Sequence, residues 1–180
     1  VMACRSLQKG EGAKAEILRA QPAAKLDLMQ LDNASLASVR AFADAFKANY
    51  DRLDLLLNNA GVMAIPRQET ADGFEMQFGT NHLGHFVLVN RIAPLIVDGG
   101  RVVVLSSSAH RASDVNLDDP GFQQAPYDPF SAYGRSKTAN VLFAVELDRR
   151  LRERDIRATA LHPGGIHTEL MRHTAPDMLQ

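Results

Sequence analysis

Short apolar runs alternate along the chain with longer stretches in which hydrophobic residues recur every three or four positions. That alternation is expected of β-α units feeding a parallel sheet. Strands are predicted over residues 1–4, 25–31, 53–58, 101–106 and 156–161, the third and fourth being nearly unbroken Leu or Val. Runs of that kind suit strands covered on both faces. Helices are predicted over 9–20, 35–50, 73–95 and 132–154. In the second helix Leu36, Val39, Phe42, Ala43 and Phe46 form one core-facing stripe, with Asp32 or Ser35 placed to cap it. The one long irregular segment, 109–131, holds Pro120, Gly121, Pro126 and Pro129. Loops of that length in a compact domain are usually functional or mobile. The pattern as a whole predicts a single α/β domain over residues 1–180, with a doubly wound parallel sheet and helices on both faces.

Composition narrows the function classes. With 46% hydrophobic and 23% charged residues in 180, the chain has the makeup of a globular domain with its own core. A net charge of −1 gives no footprint for phosphate backbones or anionic lipid, so nucleic acid is not an expected partner. No run reaches the roughly 18 to 20 apolar residues that span a bilayer, and no leader pattern is visible. With Cys4 as the only cysteine, the expected setting is reducing and cytoplasmic, although a preceding segment could carry a targeting or anchor signal. Of six histidines, His82 and His85 lie about one helical turn apart, but no thiolate or carboxylate completes a ligand set, and no metal is expected. Asp118 and Asp119 read as solvated loop carboxylates, and the arginines at 149, 150, 152 and 154 as a solvated helix end.

The segment SAYGRSK places Tyr133 and Lys137 four residues apart at the start of the last predicted helix, on one face. A phenol titrates near 10 and becomes a useful base only beside positive charge, which Lys137 can supply. Bringing it near neutrality needs roughly 4 kcal/mol, more than one ammonium normally gives, so a second cation should help. Judged alone, the pair could equally be an exposed Tyr and Lys on a helix. Two further segments share its setting. LDLLLNNAG runs an apolar strand into Asn58, Asn59, Ala60 and Gly61, and RVVVLSSSAH ends another in Ser106, Ser107 and Ser108. Ligands enter open parallel sheets at the carboxyl ends of strands, where small residues admit a cofactor and a hydroxyl can meet a substrate oxygen. Turn formation or helix capping would account for the same residues. LHPGGIHTEL follows the last strand, with Pro163 and Gly164 setting a sharp exit and Thr168 placed to meet a cofactor or to cap a helix.

Taken together these residues resemble the short-chain dehydrogenase/reductase family, in its retinol-dehydrogenase-like branch, over nearly the entire chain. The resemblance implies a Rossmann-type fold and an oxidoreductase that interconverts an alcohol and a carbonyl by hydride transfer with NAD(P)(H). It makes Tyr133 the acid/base, and Lys137 the lysine that lowers its pKa and holds the nicotinamide ribose. Ser107 becomes the substrate-orienting hydroxyl, with Ser108 next in line. Asn81, in FGTNHLGHF, matches an asparagine supporting a water relay to the lysine, or else satisfies a bent helix. Asn59, Ala60 and Gly61 resemble the cofactor-side turn, Pro163, Gly164 and Thr168 the nicotinamide-side loop, and Asp32 the aspartate that meets the adenine. A small alcohol or carbonyl, with a hint of a lipophilic one, is the implied substrate, and homo-oligomerisation through the two long helices is left open.

No acidic residue follows the first strand; Arg5 and Lys9 do, and a guanidinium matches a phosphate in shape and charge. The expected cofactor is NADP(H), with NAD(H) as the other option, unless Arg5 is simply a solvated loop charge. The family's first strand and glycine-rich turn have no counterpart in the chain, so the expectation is a domain truncated at its start and past Thr168. Its sheet should then be split into two halves with unpaired edges. The rival readings are a cofactor-sensing or interaction protein on the same fold, and an inactive fragment.

Overall fold

Residues 1–165 are described in this computed structural model, and each predicted apolar run among them forms a strand. The strands are β1 (Met2–Cys4), β2 (Leu28–Gln30), β3 (Leu53–Asn58), β4 (Ile96–Leu105) and β5 (Arg157–Leu161). All neighbouring strands pair in parallel, in two sheets ordered β1-β2 and β3-β4-β5. The split is the one the sequence predicts. β4 begins five residues before the expected 101, because Ile96 and Val97 belong to it and Gly99–Gly100 interrupts the apolar run that would have signalled them. A register shift between Leu53 and Leu55 absorbs that irregularity.

Helix α1 (Leu7–Ala20) is capped by Ser6, whose Oγ accepts from the N–H of Lys9 at 3.3 Å. It packs closely on the small sheet, since a Cβ on Gly10 would fall 2.6 Å from Cys4 Sγ and Leu28 Cδ2. On the other face lies α2 (Leu36–Asn49), capped by Ser35, with Val39, Phe42, Ala43 and Phe46 buried as the stripe predicts. These four join Leu31, Leu88 and Ile92, with Met29 of β2 and Leu53 and Leu56 of β3 packed against them. One core thus ties the two sheets together. The helices α3 (Met76–Phe78) and α4 (Gly84–Ile92) flank a π-helical turn, Gly79–Leu83, and α5 (Pro129–Leu151) closes the second core over Val102, Val104, Ile156 and Ala158.

Three expectations are corrected here. The helix expected over 73–95 is broken into α3, the π turn and α4, whose buried Gln77 and Asn81 side chains bond Ala64, Tyr127, Pro129, Val62 and Ser136 in other segments. Asp119 is not a solvated carboxylate: it is 4% exposed and accepts backbone N–H bonds from Gln123, Gln124 and Ala125, which hold its carboxyl below the usual range. The adjacent loop is further pinned by Arg135, which donates to Asp119 O at 2.6 Å and lies 3.7 Å over the Phe122 ring. Finally, the three-stranded sheet is not covered on both faces among the described residues. Leu55, Leu57 and Leu161 are 54%, 58% and 46% exposed, all on the face opposite Leu56, Val102 and Ala158. An edge strand with such a face promotes association between chains. Leu57→Lys is therefore expected to reduce self-association, read as lower light scattering at equal concentration, with an unchanged unfolding midpoint.

The predicted arginine-rich helix end is in part structural. Asp148, 9% exposed, accepts from Arg152, Arg157 and the N–H of Ala158, joining α5 to β5, and the two guanidiniums hold its carboxyl far below the carboxylate range.

Candidate active site

The last helix opens where its sequence dictates. Asp128 caps it by accepting from the N–H of Ser131 at 2.7 Å, and Pro129 occupies the first turn, where no amide is needed. SAYGRSK then runs as regular helix, placing Lys137 Nζ 5.4 Å from the centre of the Tyr133 ring. Both residues are buried, at 5% and 4% exposure.

A glycine between them brings the third group in. A Cβ on Gly134 would meet Ser113 Cβ at 2.7 Å and Ala109 O at 2.9 Å, so only glycine lets the turn after β4 press onto α5. Ser107 heads that turn, its Oγ accepting from the N–H of Ala109 at 3.3 Å, and its hydroxyl is near enough to the Tyr133 phenol to favour the ionised form. Ser106 points the other way and donates to Lys137 O at 2.9 Å, while Lys137 Nζ donates to Leu105 O at 3.0 Å. Ser108 is exposed. The strand end and the helix are stitched together on both sides of the Tyr–Lys pair.

Burial governs the electrostatics. It raises the Tyr133 phenol above its ordinary value, with the neighbouring Ser107 hydroxyl acting in the opposite sense. It pushes the Lys137 amine down to about 8. Desolvation disfavours the charged form of each. In the protein alone burial therefore favours the neutral phenol, a proton donor rather than a base; the expectation is that Lys137 needs a second cation beside it to bring the phenol towards neutrality.

Asn81 fixes the facing wall. Its Oδ1 accepts from the N–H of Val62 at 2.8 Å, and its Nδ2 donates to Val62 O and to Ser136 Oγ, both at 2.9 Å. The side chain thus pins the 58–62 turn. Gly61 is required in that turn, since a Cβ there would lie 3.0 Å from Asn81 Oδ1 and 3.8 Å from Lys137 Nζ. Asn59 and Ala60 are exposed beside it. Asp32 accepts from the N–H of Ala34 at 2.9 Å in the turn after β2, and Arg5, exposed, follows β1. Pro163 and Gly164, also exposed, follow β5, with Gly164 at φ +88. Thr168 lies outside the described residues. Apart from Asn81, Tyr133 and Lys137, these residues collect at carboxyl strand ends, as parallel pairing requires.

A dinucleotide fits what these ends present. Asn58 Nδ2 is buried at the end of β3 without a hydrogen-bond partner, and Lys137 Nζ uses one of its three donor hydrogens. His82 and His85 are used internally: His82 Nδ1 pairs with Asn140 Oδ1 at 3.2 Å, and His85 bridges Asn33 Nδ2 and Asn81 O at 2.9 and 3.0 Å. Sequence reasoning missed Gly134, Ser136 and Asn140. Of these only Gly134, a glycine inside a helical pattern, carried a local signal.

The geometry agrees with what the chain is similar to. It is 44% identical to human retinol dehydrogenase 13, over 97% of this chain and 53% of that protein. It therefore spans about half the length of the curated relatives it matches. A crystal structure of an uncharacterised protein from Mycobacterium paratuberculosis is 45% identical and superposes with a TM-score of 0.81, over 96% of this chain and 61% of that one. A blue fluorescent protein from a metagenomic library, solved in complex with NADPH, is 26% identical with a TM-score of 0.72, over 93% and 64%. The family model described as short chain dehydrogenase matches residues 1–179, and with these relatives it shows that the chain belongs to the short-chain dehydrogenase family, in its retinol-dehydrogenase-like branch.

Proposed function

We propose that the protein is a nicotinamide-dependent oxidoreductase that interconverts an alcohol and a carbonyl, with Tyr133 moving the proton. The observation that carries this reading is the convergence of Tyr133, Ser107 and Lys137, drawn from a helix and a strand end and held together by Gly134. The nicotinamide, when bound, supplies or accepts the hydride. In the reducing direction the protonated Tyr133 Oη donates its proton to the carbonyl oxygen as negative charge develops there. Ser107 Oγ donates a hydrogen bond to the same oxygen and orients it. Protonated Lys137 stabilises the phenolate left behind, and in the oxidising direction that phenolate takes the proton back. The two free donor hydrogens of Lys137 Nζ and the amide of Asn58 are the groups placed to hold the cofactor.

The retinol dehydrogenases among its relatives support a lipophilic alcohol or aldehyde as substrate. Arg5, exposed after β1 and without an ion pair among the described residues, supports NADP(H), because its guanidinium can take a ribose phosphate in a bidentate grip. The test is nicotinamide oxidation by the purified full chain with long-chain aldehydes, using NADPH and NADH in parallel. NADPH should give the lower KM, and Arg5→Ala should raise that KM about tenfold with little change for NADH, in keeping with loss of one charge-assisted contact. A chain that binds either cofactor yet turns over no aldehyde or ketone would overturn the reading.

A further inference from the structure

Ser107 is held from behind by one residue of its own turn. Its carbonyl oxygen accepts twice from His110, from the backbone N–H at 3.1 Å and from Nδ1 of the partly buried ring at 2.6 Å. A carbonyl can only accept, so the ring nitrogen facing it carries the hydrogen. The ring thereby closes the short 3₁₀ turn Ser108–Arg111 back onto the residue that caps it. Turns of this kind have poor backbone hydrogen-bond geometry of their own, so a side-chain bond across one carries weight.

The backbone of His110 faces α5. Thr138 Oγ1, one position past Lys137, donates towards His110 O at 3.0 Å and Ser113 O at 2.7 Å, and Ser113 Oγ donates to Ser131 O at 2.9 Å. His110 therefore bonds Ser107 with its ring and the helix of Tyr133 and Lys137 with its carbonyl. These ties bear on what the Ser107 hydroxyl can do. Its Oγ takes the N–H of Ala109 at 3.3 Å, and an N–H on one lone pair leaves the hydroxyl hydrogen available to a further acceptor. Both Ala109 and His110 keep their places only while residues 107–110 keep the turn.

We propose that His110 is a positioning residue for Ser107: through Nδ1 it locks the turn after β4 and so sets where the Ser107 hydroxyl stands relative to Tyr133. This rests on the oxidoreductase reading for its catalytic consequence, whereas the placement itself is measurable without turnover. Without the ring, water takes its place at Ser107 O, the turn samples other geometries, and the hydroxyl moves away from the phenol.

The experiment compares His110→Ala with His110→Asn. An asparagine carboxamide carries its N–H as many bonds from the backbone as histidine carries Nδ1, so it can remake the bond to Ser107 O. His110→Gln puts the amide one bond too far out; it should behave like the alanine protein and replaces it if that protein does not fold. The full chain labelled with meta-fluorotyrosine, without cofactor or substrate, gives one ¹⁹F signal from each of its 3 tyrosines. Tyr133→Phe identifies the signal of interest, and Ser107→Ala shows how it moves when the serine hydroxyl is gone. His110→Ala is expected to move it in the same direction, and His110→Asn to return it to the native position. Arg111→Ala, an exposed change in the same turn, should leave it in place. Where turnover is measurable, His110→Ala should lower kcat about tenfold with the NADPH KM within about twofold, and His110→Asn should recover most of the loss, a pattern that general destabilisation does not produce. A folded alanine or glutamine protein with an unmoved Tyr133 signal overturns the proposal, as does an asparagine protein that fails to restore it. An unmoved signal in Ser107→Ala sinks it as well, since Ser107 would then have no hold on Tyr133. A displaced and restored signal in a chain whose native form shows no turnover leaves the positioning role standing and removes the oxidoreductase reading instead.

Discussion

A protein carrying Tyr133→Phe is expected to fold as before, to keep its affinity for cofactor, and to turn over about a hundred- to ten-thousand-fold more slowly, the range general acid–base groups contribute. The ring fills the same space at 5% exposure, so packing is retained. What is lost is one hydroxyl beside Ser107, and with it the proton placed to pass to a developing alkoxide. Ser107 cannot replace it, because a serine hydroxyl is a far weaker acid than a phenol. Turnover in both directions, measured beside the thermal midpoint, checks this. Activity within a few-fold of the native protein would show that the proton comes from elsewhere and that the Tyr–Lys pair is only a buried helix contact.

The second large effect is on stability. His85, 3% exposed, is buried as the neutral ring, and desolvation pushes its pKa from 6.5 down to about 4, with the nearby Lys137 and His82 adding to the shift and the bond to Asn81 O opposing it. In the unfolded chain the same imidazole takes up a proton near its ordinary pKa. As pH falls from 6.5 towards 4, the unfolded state binds a proton that the folded state does not, so stability is full above that window and is lost through it. Each pH unit of separation is worth about 1.4 kcal/mol, which sets the loss at up to about 3 kcal/mol. Urea unfolding at pH 7 and at pH 4.5 should show the midpoint falling steeply in the native protein. His85→Phe should start less stable, since Asn33 Nδ2 and Asn81 O lose a partner, and should show a much flatter dependence over the same range. An equally steep slope in the Phe protein would assign the effect to other groups.

Local chemistry made much of the fold legible. The strand cores of β3 and β5, the stripe of α2 and its Ser35 cap follow from side-chain period and from hydrogen bonds that reach only three residues. The Tyr133–Lys137 pair is of the same kind, because a helix puts residues four apart on one face whatever surrounds it. Helix 73–95 was misread for the opposite reason. Its apolar period is genuine, but the π turn inside it is held by partners far away in sequence: Asn81 Nδ2 reaches Ser136 across 55 residues, and Asn81 O receives Asn140 across 59.

The same division covers Asp119, which looked like a loop charge until the chain folded its own amides around it, and Arg152, which looked solvated until Asp148 tied it and Arg157 together. By itself the sequence determined where backbone hydrogen bonds close locally, which faces are apolar, and which two side chains share a helical turn. Tertiary structure alone decided that Gly134 admits the Ser107 turn, that the Asn81 side chain bonds Val62, and that Leu55 and Leu57 lie uncovered among the described residues. Close approach and burial depend on the path the chain takes through space, whereas period and spacing are fixed by the geometry of each element.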